Sequence, residues 1–203
     1  MPPDRLLERE IGGLVCGIDE VGRGPLAGPV LAAAVILPPD LPLSLLHGLD
    51  DSKKLSAARR ETLYEIVLAH AAVGVGQSEV WESDRINILE ATMQAMRRAY
   101  LALGIDAACA LVDGNRAPPL ACPVRCVVRG DSSCLSIAAA SVVAKVTRDR
   151  MMAELASDYP GYGWERNAGY GTAAHLDALR RLGATVHHRR SFAPVAAILA
   201  AGV

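Results

Sequence analysis

Two acidic residues, Asp19 and Glu20, stand side by side at the end of an apolar run near the amino terminus, in the stretch GIDEVGRGPLAGPV. Carboxylates this close repel each other, and taking either one out of water is costly unless a cation neutralises it. A metal ion, or a substrate phosphate with its counterion, would resolve this conflict. Taken alone, the stretch is explained more simply as a polar strand end followed by a turn, because short motifs often match by chance.

Two further acids end apolar runs later in the chain, Asp113 in LVDG and Asp131 in VRGD. Strand ends on one edge of an α/β sheet converge, so all four carboxylates are expected to meet there. Oxygen ligands without histidine or cysteine favour Mg²⁺ or Mn²⁺ over zinc. Two such ions, about 3.5–4 Å apart, would activate an attacking water and stabilise the leaving oxygen of a phosphoryl displacement.

The adjacency of Asp19 and Glu20 leaves one geometrical question open. Neighbouring side chains of a regular strand point to opposite faces of the sheet. Both residues therefore reach one site only if the chain bends there, or if one of them contributes its backbone carbonyl. Gly17 and Gly22 flank the pair and make a bend feasible.

Two basic segments could contact the phosphates of a substrate. Lys53 and Lys54 share a loop with two aspartates, so local ion pairing in solvent is the simpler interpretation, although both lysines could contact a phosphate backbone. Ser141, Lys145 and Arg148 recur at helical spacing on a predicted helix that begins just after the last of the four acids. A solvated stripe and a phosphate-binding stripe explain this spacing equally well.

Two glycine-rich segments could approach a ligand closely: Gly22-Arg23-Gly24, and the stretch NAGYGT at 167–172. Exposed peptide groups in such segments can recognise a ribose 2′-hydroxyl without base specificity. Tyr170, between two glycines, could stack on a sugar or a base. Each segment alone is also explained as an ordinary turn.

The composition indicates a globular α/β protein. The chain has 203 residues, of which 51% are hydrophobic and 21% charged, enough for one domain with a full core. Its net charge is −1, so any binding to nucleic acid must depend on a local basic patch. The stretch HHRR at 187–190 is a further basic cluster, in which one histidine could move protons, although we expect polar surface there.

Cysteine usage and the amino terminus predict a cytoplasmic protein. No signal peptide precedes the first predicted strand, and no apolar run is long enough to span a bilayer. The five cysteines lack a paired CxxC motif, so all five are expected to be buried thiols in a reducing compartment rather than zinc ligands. They are Cys16, Cys109, Cys122, Cys126 and Cys134.

Strands and helices alternate along the chain, which predicts an α/β fold. The predicted strands are 14–19, 30–37, 71–80, 108–113 and 124–131, and the first two are expected to form an antiparallel hairpin. The predicted helices begin after an N-cap at Ser56, run from 83 to 103, follow the fifth strand, and cover 172–182. The opening hairpin favours a mixed sheet over a fully parallel one.

Taken together, these residues resemble the ribonuclease HII family, the type 2 ribonucleases H. The likeness covers nearly the whole chain, and many ordered motifs at similar spacing make it specific. The motifs are GIDEVGRGPLAGPV, DSKKLS, NILEATMQAM, LVDGN, GDSS, AAASVVAKVTRDR, GYGT and ATVHHRRSF. The resemblance implies a single domain over 1–203, with a ribonuclease H-like mixed sheet flanked by helices and a small C-terminal helical appendage over about 159–203.

The resemblance also implies roles for individual residues. The acidic quartet of the family falls on the four acids named above, with Asp19, Glu20 and Asp113 as the principal metal ligands and Asp131 as the fourth carboxylate. The turn Gly22-Arg23-Gly24 would recognise the 2′-hydroxyl beside the scissile phosphate. Tyr170 matches the tyrosine that stacks against the following deoxyribose.

The activity implied is that of a metal-dependent endonuclease using Mg²⁺ or Mn²⁺. It would hydrolyse the RNA strand of RNA/DNA hybrids and cut on the 5′ side of single ribonucleotides embedded in duplex DNA. Products would carry 5′-phosphate and 3′-hydroxyl ends, and the role would be ribonucleotide removal in DNA replication and repair. Its partners would be these nucleic acids, with no membrane association, and the protein would be a monomer.

Two departures from the family pattern stand out. Many members have a lysine just before the first glycine of GYGT, where this chain has Ala168, so any phosphate contact of that lysine is missing or transferred to Arg166. The C-terminal stretch SFAPVAAILAAGV lacks an obvious motif for binding a sliding clamp. Another two-metal nuclease or recombinase of the same fold, and a catalytically silent nucleic-acid-binding module, are the alternative functions.

Overall fold

A computed structural model describes residues 2–46 and 48–201 of the chain. The first residue and the last two residues of the expected 1–203 domain therefore lie outside the described residues. Five strands form one sheet in the order β3-β2-β1-β4-β5. They are β1 (Val15–Val21), β2 (Val30–Ile36), β3 (Ala72–Ser78), β4 (Cys109–Asp113) and β5 (Val124–Val127).

The sheet is mixed, as the sequence predicts. β1 pairs with β2 in antiparallel register, while β1 with β4 and β4 with β5 are parallel. Parallel pairing of β1, β4 and β5 places the ends of these three strands on the same edge, which is where the sequence puts its acids. The prediction of a mixed sheet is therefore confirmed.

Nine helices are seen in the described residues, together with a 3₁₀ turn at Gly130–Ser132. The Ser56 hydroxyl caps α3 by accepting the N–H of Arg59, as predicted, and Thr172 caps α8 in the same way. The helices are α1 (Leu6–Ile11), α2 (Leu43–Leu46), α3 (Ala57–His70), α4 (Val80–Ile86), α5 (Ile88–Ala102), α6 (Leu135–Asp158), α7 (Trp164–Asn167), α8 (Ala173–Leu182) and α9 (Ala193–Ala200).

The structure corrects three sequence predictions. The single helix expected over 83–103 is two helices, because Asn87 adopts a φ of 70° and its side chain caps α5. β5 ends at Val127, so Asp131 lies in the 3₁₀ turn rather than at a strand end. Gly17 does not serve as a bend: a Cβ there would lie 2.2 Å from the Ser136 carbonyl carbon, so this glycine lets β1 contact α6.

The chain forms two compact units. The first, here called the sheet unit, comprises the chain up to Val21, Leu31–Gln77 and Met93–Val146. Its core joins buried side chains of β2, α3 and α6, among them Val35, Leu63 and Val142. The expected single domain with a C-terminal appendage stays a prediction.

The second unit comprises Gly22–Val30, Ser78–Thr92 and the chain from Thr147 onward. Its core surrounds Trp164, which is 1% exposed, and includes Met152 and Leu179. This unit contains both glycine-rich segments identified in the sequence.

The five cysteines are free thiols, as predicted. Cys122 and Cys126 are only half-buried, however, so the expectation that all five are buried is wrong for these two. Burial raises the pKa of Cys16 and of Cys134 to about 12, which keeps both thiols protonated and unreactive. Among the described helices, none is long and apolar enough to cross a membrane, and the cytoplasmic location stays a prediction.

Candidate active site

Three of the four predicted acids meet at one point of the sheet unit. The parallel pairing of β1 with β4 ends at Ile18 and Val112, so the next residues along the two strands are Asp19 and Asp113. One carboxylate oxygen each from Asp19, Glu20 and Asp113 lies within 4.8 Å of the others. The side chains of both adjacent acids therefore reach the same place.

In this three-acid cluster, burial and the neighbouring carboxylates both act against the charged form of Asp19. Burial raises the pKa of the Asp19 carboxyl well above its usual range, and the charges of Glu20 and Asp113 raise it further. Asp19 accepts hydrogen bonds from the Glu20 N–H, at 2.8 Å, and from the Ser141 hydroxyl, which oppose that rise. A cluster of hard oxygen donors with this unrelieved repulsion fits a divalent cation of the Mg²⁺ or Mn²⁺ type.

Asp131 lies near the cluster without belonging to its group of three. An oxygen of the Asp113 carboxylate accepts the main-chain N–H of Gly130 at 2.7 Å, which ties the end of β4 to the turn that carries Asp131. Burial raises the pKa of the Asp131 carboxyl, the charges of Asp113 and Asp51 raise it further, and Lys53 opposes them. Asp131 is therefore electrostatically coupled to the cluster through Asp113.

The two loop lysines are exposed, and one of them pairs locally as predicted. The Lys54 ammonium lies 3.0 Å from an oxygen of Asp50. It also lies 3.5 Å from the hydroxyl of Ser132, the residue after Asp131. Lys53 and Lys54 thus flank the acidic turn and remain accessible to a phosphate.

Ser141 and Lys145 occupy different surroundings from each other on α6. Ser141 is buried, with its hydroxyl 2.9 Å from that of Ser52 and in contact with the Asp19 carboxylate. It therefore lies against the acids rather than on an open surface. Lys145, one turn further along, is half-buried.

In the second unit, the Gly22–Gly24 turn is shaped by its first glycine. Gly22 has a φ of 93°, and a Cβ there would lie 2.3 Å from Nε of Arg148, so only glycine fits. Gly24 is different, because among the described residues a Cβ there would meet only the Tyr170 ring, at 3.5 Å. Arg23, Gly24 and Tyr170 are all exposed.

Three residues expected on polar surfaces are buried. Arg148, predicted on a polar stripe that is either solvated or in contact with phosphate, is fully buried and donates hydrogen bonds to the carbonyls of Ala27, Pro29 and Ala168. His188 and Arg189, expected as surface in HHRR, are 1% and 0% exposed. Charged side chains are rarely buried without a carboxylate, so residue type alone predicted the opposite. Only their place in motifs shared with a family could have marked them.

Ala168 occupies the position where the family pattern has lysine. Its φ is 47°, a left-handed conformation that is uncommon outside glycine, and its carbonyl accepts an Arg148 hydrogen bond at 2.9 Å. The neighbouring Arg166 lies 3.4 Å from Glu165 in an exposed ion pair. A transfer of the lysine contact to Arg166 therefore stays a prediction.

Comparison with known proteins gives a consistent result. A family model described as ribonuclease HII matches residues 16–195. The ribonuclease HII of Paramagnetospirillum magneticum is 72% identical over 195 residues, which cover 96% of this chain and 97% of that protein. The crystal structure of ribonuclease H2 from Pyrococcus horikoshii OT3 has a TM-score of 0.76 at 25% identity, covering 92% of this chain and 97% of that chain.

A second solved structure, the PCNA:RNase HII complex from Archaeoglobus fulgidus, also contains a similar chain. It has a TM-score of 0.76 at 25% identity and covers 89% of this chain and 95% of that chain. Each of these proteins is thus matched over nearly its whole length.

Proposed function

This chain belongs to the ribonuclease HII family, and on that premise we propose that it also cuts on the 5′ side of single ribonucleotides embedded in duplex DNA. Membership makes it a metal-dependent endonuclease of the ribonuclease H type, which cleaves the RNA strand of RNA/DNA hybrids. Its proposed role is the removal of ribonucleotides during DNA replication and repair.

The observation that carries the proposed chemistry is the three-acid cluster of Asp19, Glu20 and Asp113. These carboxylates would hold Mg²⁺ or Mn²⁺, with Asp131 as the fourth acid. A pair of such ions would supply an activated water and stabilisation of the leaving oxygen, and hydrolysis by that water would leave 5′-phosphate and 3′-hydroxyl ends. Ser141 would orient the Asp19 carboxylate through its hydrogen bond.

Substrate recognition is proposed to rest on sugars and phosphates rather than bases. The peptide groups of Gly22-Arg23-Gly24 would recognise one 2′-hydroxyl, a contact that Gly24 allows because it has no side chain. Tyr170, an exposed residue, would stack on the deoxyribose that follows. Phosphates of the substrate would be contacted by three lysines, Lys53, Lys54 and Lys145. Ser141, which is buried against Asp19, is proposed as a further substrate-binding residue.

The deciding experiment maps the ends of products from three substrates: a duplex with one ribonucleotide, an RNA/DNA hybrid and an all-DNA duplex. We expect Mg²⁺- or Mn²⁺-dependent cutting of the first two, with 5′-phosphate ends, and none of the third. Cleavage of all-DNA duplex would favour a different two-metal nuclease or recombinase. Binding without cleavage would favour a silent binding module, and cyclic-phosphate ends would overturn the two-metal mechanism.

The proposed partners are RNA/DNA hybrids and ribonucleotide-containing duplexes, bound by a cytoplasmic monomer. The A. fulgidus protein has been seen in a complex with PCNA. The stretch SFAPVAAILAAGV of this chain has no obvious clamp motif, so we propose no clamp partner here. Co-elution of the purified chain with a sliding clamp would contradict this.

A further inference from the structure

The stretch HHRR, which the metal chemistry leaves unused, runs between the two exposed glycine-rich segments of the second unit. Its main chain is paired with the turn after Gly24: the N–H of Gly28 donates to the His187 carbonyl at 2.9 Å, and the N–H of Arg189 donates to the Leu26 carbonyl at 2.8 Å. Leu26 in turn donates its N–H to the Gly169 carbonyl at 2.8 Å. HHRR is therefore joined by its main chain to the segment after Gly24, and that segment is joined in turn to Gly169.

The Arg189 guanidinium holds the Gly22–Gly24 turn by its carbonyl oxygens. It donates to Gly22, to Arg23 at 2.9 Å and to Gly28 at 2.8 Å, and the side chain is fully buried. The guanidinium is hydrogen-bonded to main-chain carbonyls rather than paired with a carboxylate. Its planar set of N–H groups binds several carbonyls at once, which the single ammonium of lysine cannot do in the same geometry.

This arrangement fixes the direction of the amides in the turn. In a trans peptide the N–H points opposite to the carbonyl of the same plane. Because the carbonyls of Gly22 and Arg23 point at Arg189, the N–H groups of Arg23 and Gly24 point away from it. Both residues are exposed, and the proposed ribose hydroxyl would approach from the side away from Arg189.

The His188 side chain reaches the other element through a buried chain of hydrogen bonds. The Trp164 indole, which can only donate, gives its proton to Nε2 of His175 at 3.0 Å. Nδ1 of His175 lies 2.9 Å from the Tyr170 carbonyl, so it must carry the proton. The N–H of Thr185 donates to Nδ1 of His188 at 3.0 Å, which leaves the proton of His188 on Nε2.

Both histidines are thus neutral and of opposite tautomers. Nε2 of His175 has one lone pair, which accepts the Trp164 N–H at 3.0 Å and is shared with the Nε2–H of His188 at 3.2 Å. Burial, together with the nearby His175 and His187, lowers the pKa of His188 to about 3. The chain of bonds ends on the carbonyl of Tyr170, whose ring lies against Gly24.

From these contacts we infer that two residues of HHRR, His188 and Arg189, position the elements for sugar recognition. Arg189 aims the amides of the Gly22–Gly24 turn, and His188, acting through His175, sets the main chain of Tyr170. The inference rests on the proposed function for its effect on activity. Two parts of it are purely structural: the tautomers of His175 and His188, and the hydrogen bonds of Arg189 to the Gly22–Gly24 turn. These do not depend on which substrate is cut.

The first test needs no substitution. The ¹⁵N shifts of the histidine side chains at neutral pH are expected to show Nδ1–H for His175 and Nε2–H for His188. If both histidines show the same tautomer, or if either is a charged imidazolium, the part of the inference that concerns His188 is overturned. This holds whether or not the enzyme cuts at single ribonucleotides.

The second test compares Arg189→Lys with Arg190→Lys, a matched change one residue away on an exposed side chain. The ratio of kcat/KM on the single-ribonucleotide duplex to kcat/KM on a hybrid is expected to fall about ten-fold for Arg189→Lys, the scale of one lost charged hydrogen bond. It should stay unchanged for Arg190→Lys. An equal loss of kcat/KM on both substrates, or the same ratio in both variants, would contradict the positioning role of Arg189.

The third test uses His175→Leu and His175→Asn, because asparagine can place a donor where Nδ1 stands. We expect Leu to lower the same ratio and Asn to restore it, with no further loss when Leu is combined with Tyr170→Ala. Additive losses would contradict positioning of Tyr170. If wild type fails to cut at a single ribonucleotide, the proposed function falls, but the structural inference can still be tested. The backbone ¹⁵N order parameters of residues 23 and 24 are expected to fall in Arg189→Lys, and unchanged values would overturn the Arg189 part of the inference.

Discussion

The carboxylate of Asp113 accepts the main-chain N–H of Gly130 at 2.7 Å, and so joins the end of β4 to the turn that carries Asp131. One oxygen of Asp113 thus makes a structural hydrogen bond, and the same residue belongs to the three-acid cluster. The same side chain positions the fourth acid and takes part in the charge that a metal would neutralise.

Replacing Asp113 by Asn is expected to abolish cleavage while leaving hybrid binding largely intact. The amide oxygen can still accept the Gly130 N–H, so the turn is kept, but the charge that would hold a divalent cation is lost. Single-turnover cleavage and hybrid binding are measured side by side. Turnover comparable to wild type would remove Asp113 from the metal site.

The two glycines of the Gly22–Gly24 turn should respond differently to alanine. Gly22→Ala forces a side chain into a φ of 93° and against Arg148, and is expected to lower the free energy of unfolding by about 1–3 kcal/mol. Gly24→Ala has room within the protein, so it should melt like wild type yet lose activity on a single-ribonucleotide duplex. Full activity of folded Gly24→Ala would show that no substrate group approaches its Cα.

Tyr170→Ala should impair cutting of a single-ribonucleotide duplex more than cutting of a long hybrid. A stacked ring contributes about 1–3 kcal/mol per contact, and a long hybrid requires no junction to be recognised. Tyr170→Phe is the matched control, since it keeps the ring and should keep the preference. Equal losses on the two substrates would exclude a role in recognising the junction.

Hybrid binding should weaken steeply with salt despite the net charge of −1, because local lysines and arginines release counterions from phosphates. Lys145→Ala is expected to reduce the slope of log K against log salt by about 1. Arg97→Ala, an exposed cation of α5, is the control and should leave the slope unchanged. An unchanged slope in Lys145→Ala would take α6 out of the binding surface.

Acid should destabilise the second unit through its buried histidines. Since the pKa of His188 is about 3 in the fold and 6.5 unperturbed, the unfolded chain binds its proton first as the pH falls. The contribution of neutral His188 to the free energy of unfolding is fully present above pH 6.5. It is lost as the pH falls toward 3, by about 1.4 kcal/mol per pH unit. His188→Asn keeps an acceptor for the Thr185 N–H. Its free energy of unfolding, measured in urea between pH 7 and 5, should depend less steeply on pH than that of wild type. Parallel curves for the two proteins would contradict the buried neutral state.

The sequence predicted most of the local structure and the family. Alternating apolar runs, the Ser56 cap and the glycine after α8 depend on residues close in the chain, so strands, helices and the mixed sheet could be inferred. The family followed from many ordered motifs. The sequence also identified the acids whose convergence the parallel strands produce.

Only the tertiary structure decided how those residues are used. Whether Asp19 and Glu20 share a site depends on how β1 runs past the end of its pairing with β4, which no local pattern encodes. The burial of Arg148 and Arg189 depends on main-chain carbonyls from turns that are distant in the sequence. A charge is expected at the surface because desolvation is costly, and only the folded chain shows the oxygens that offset this cost.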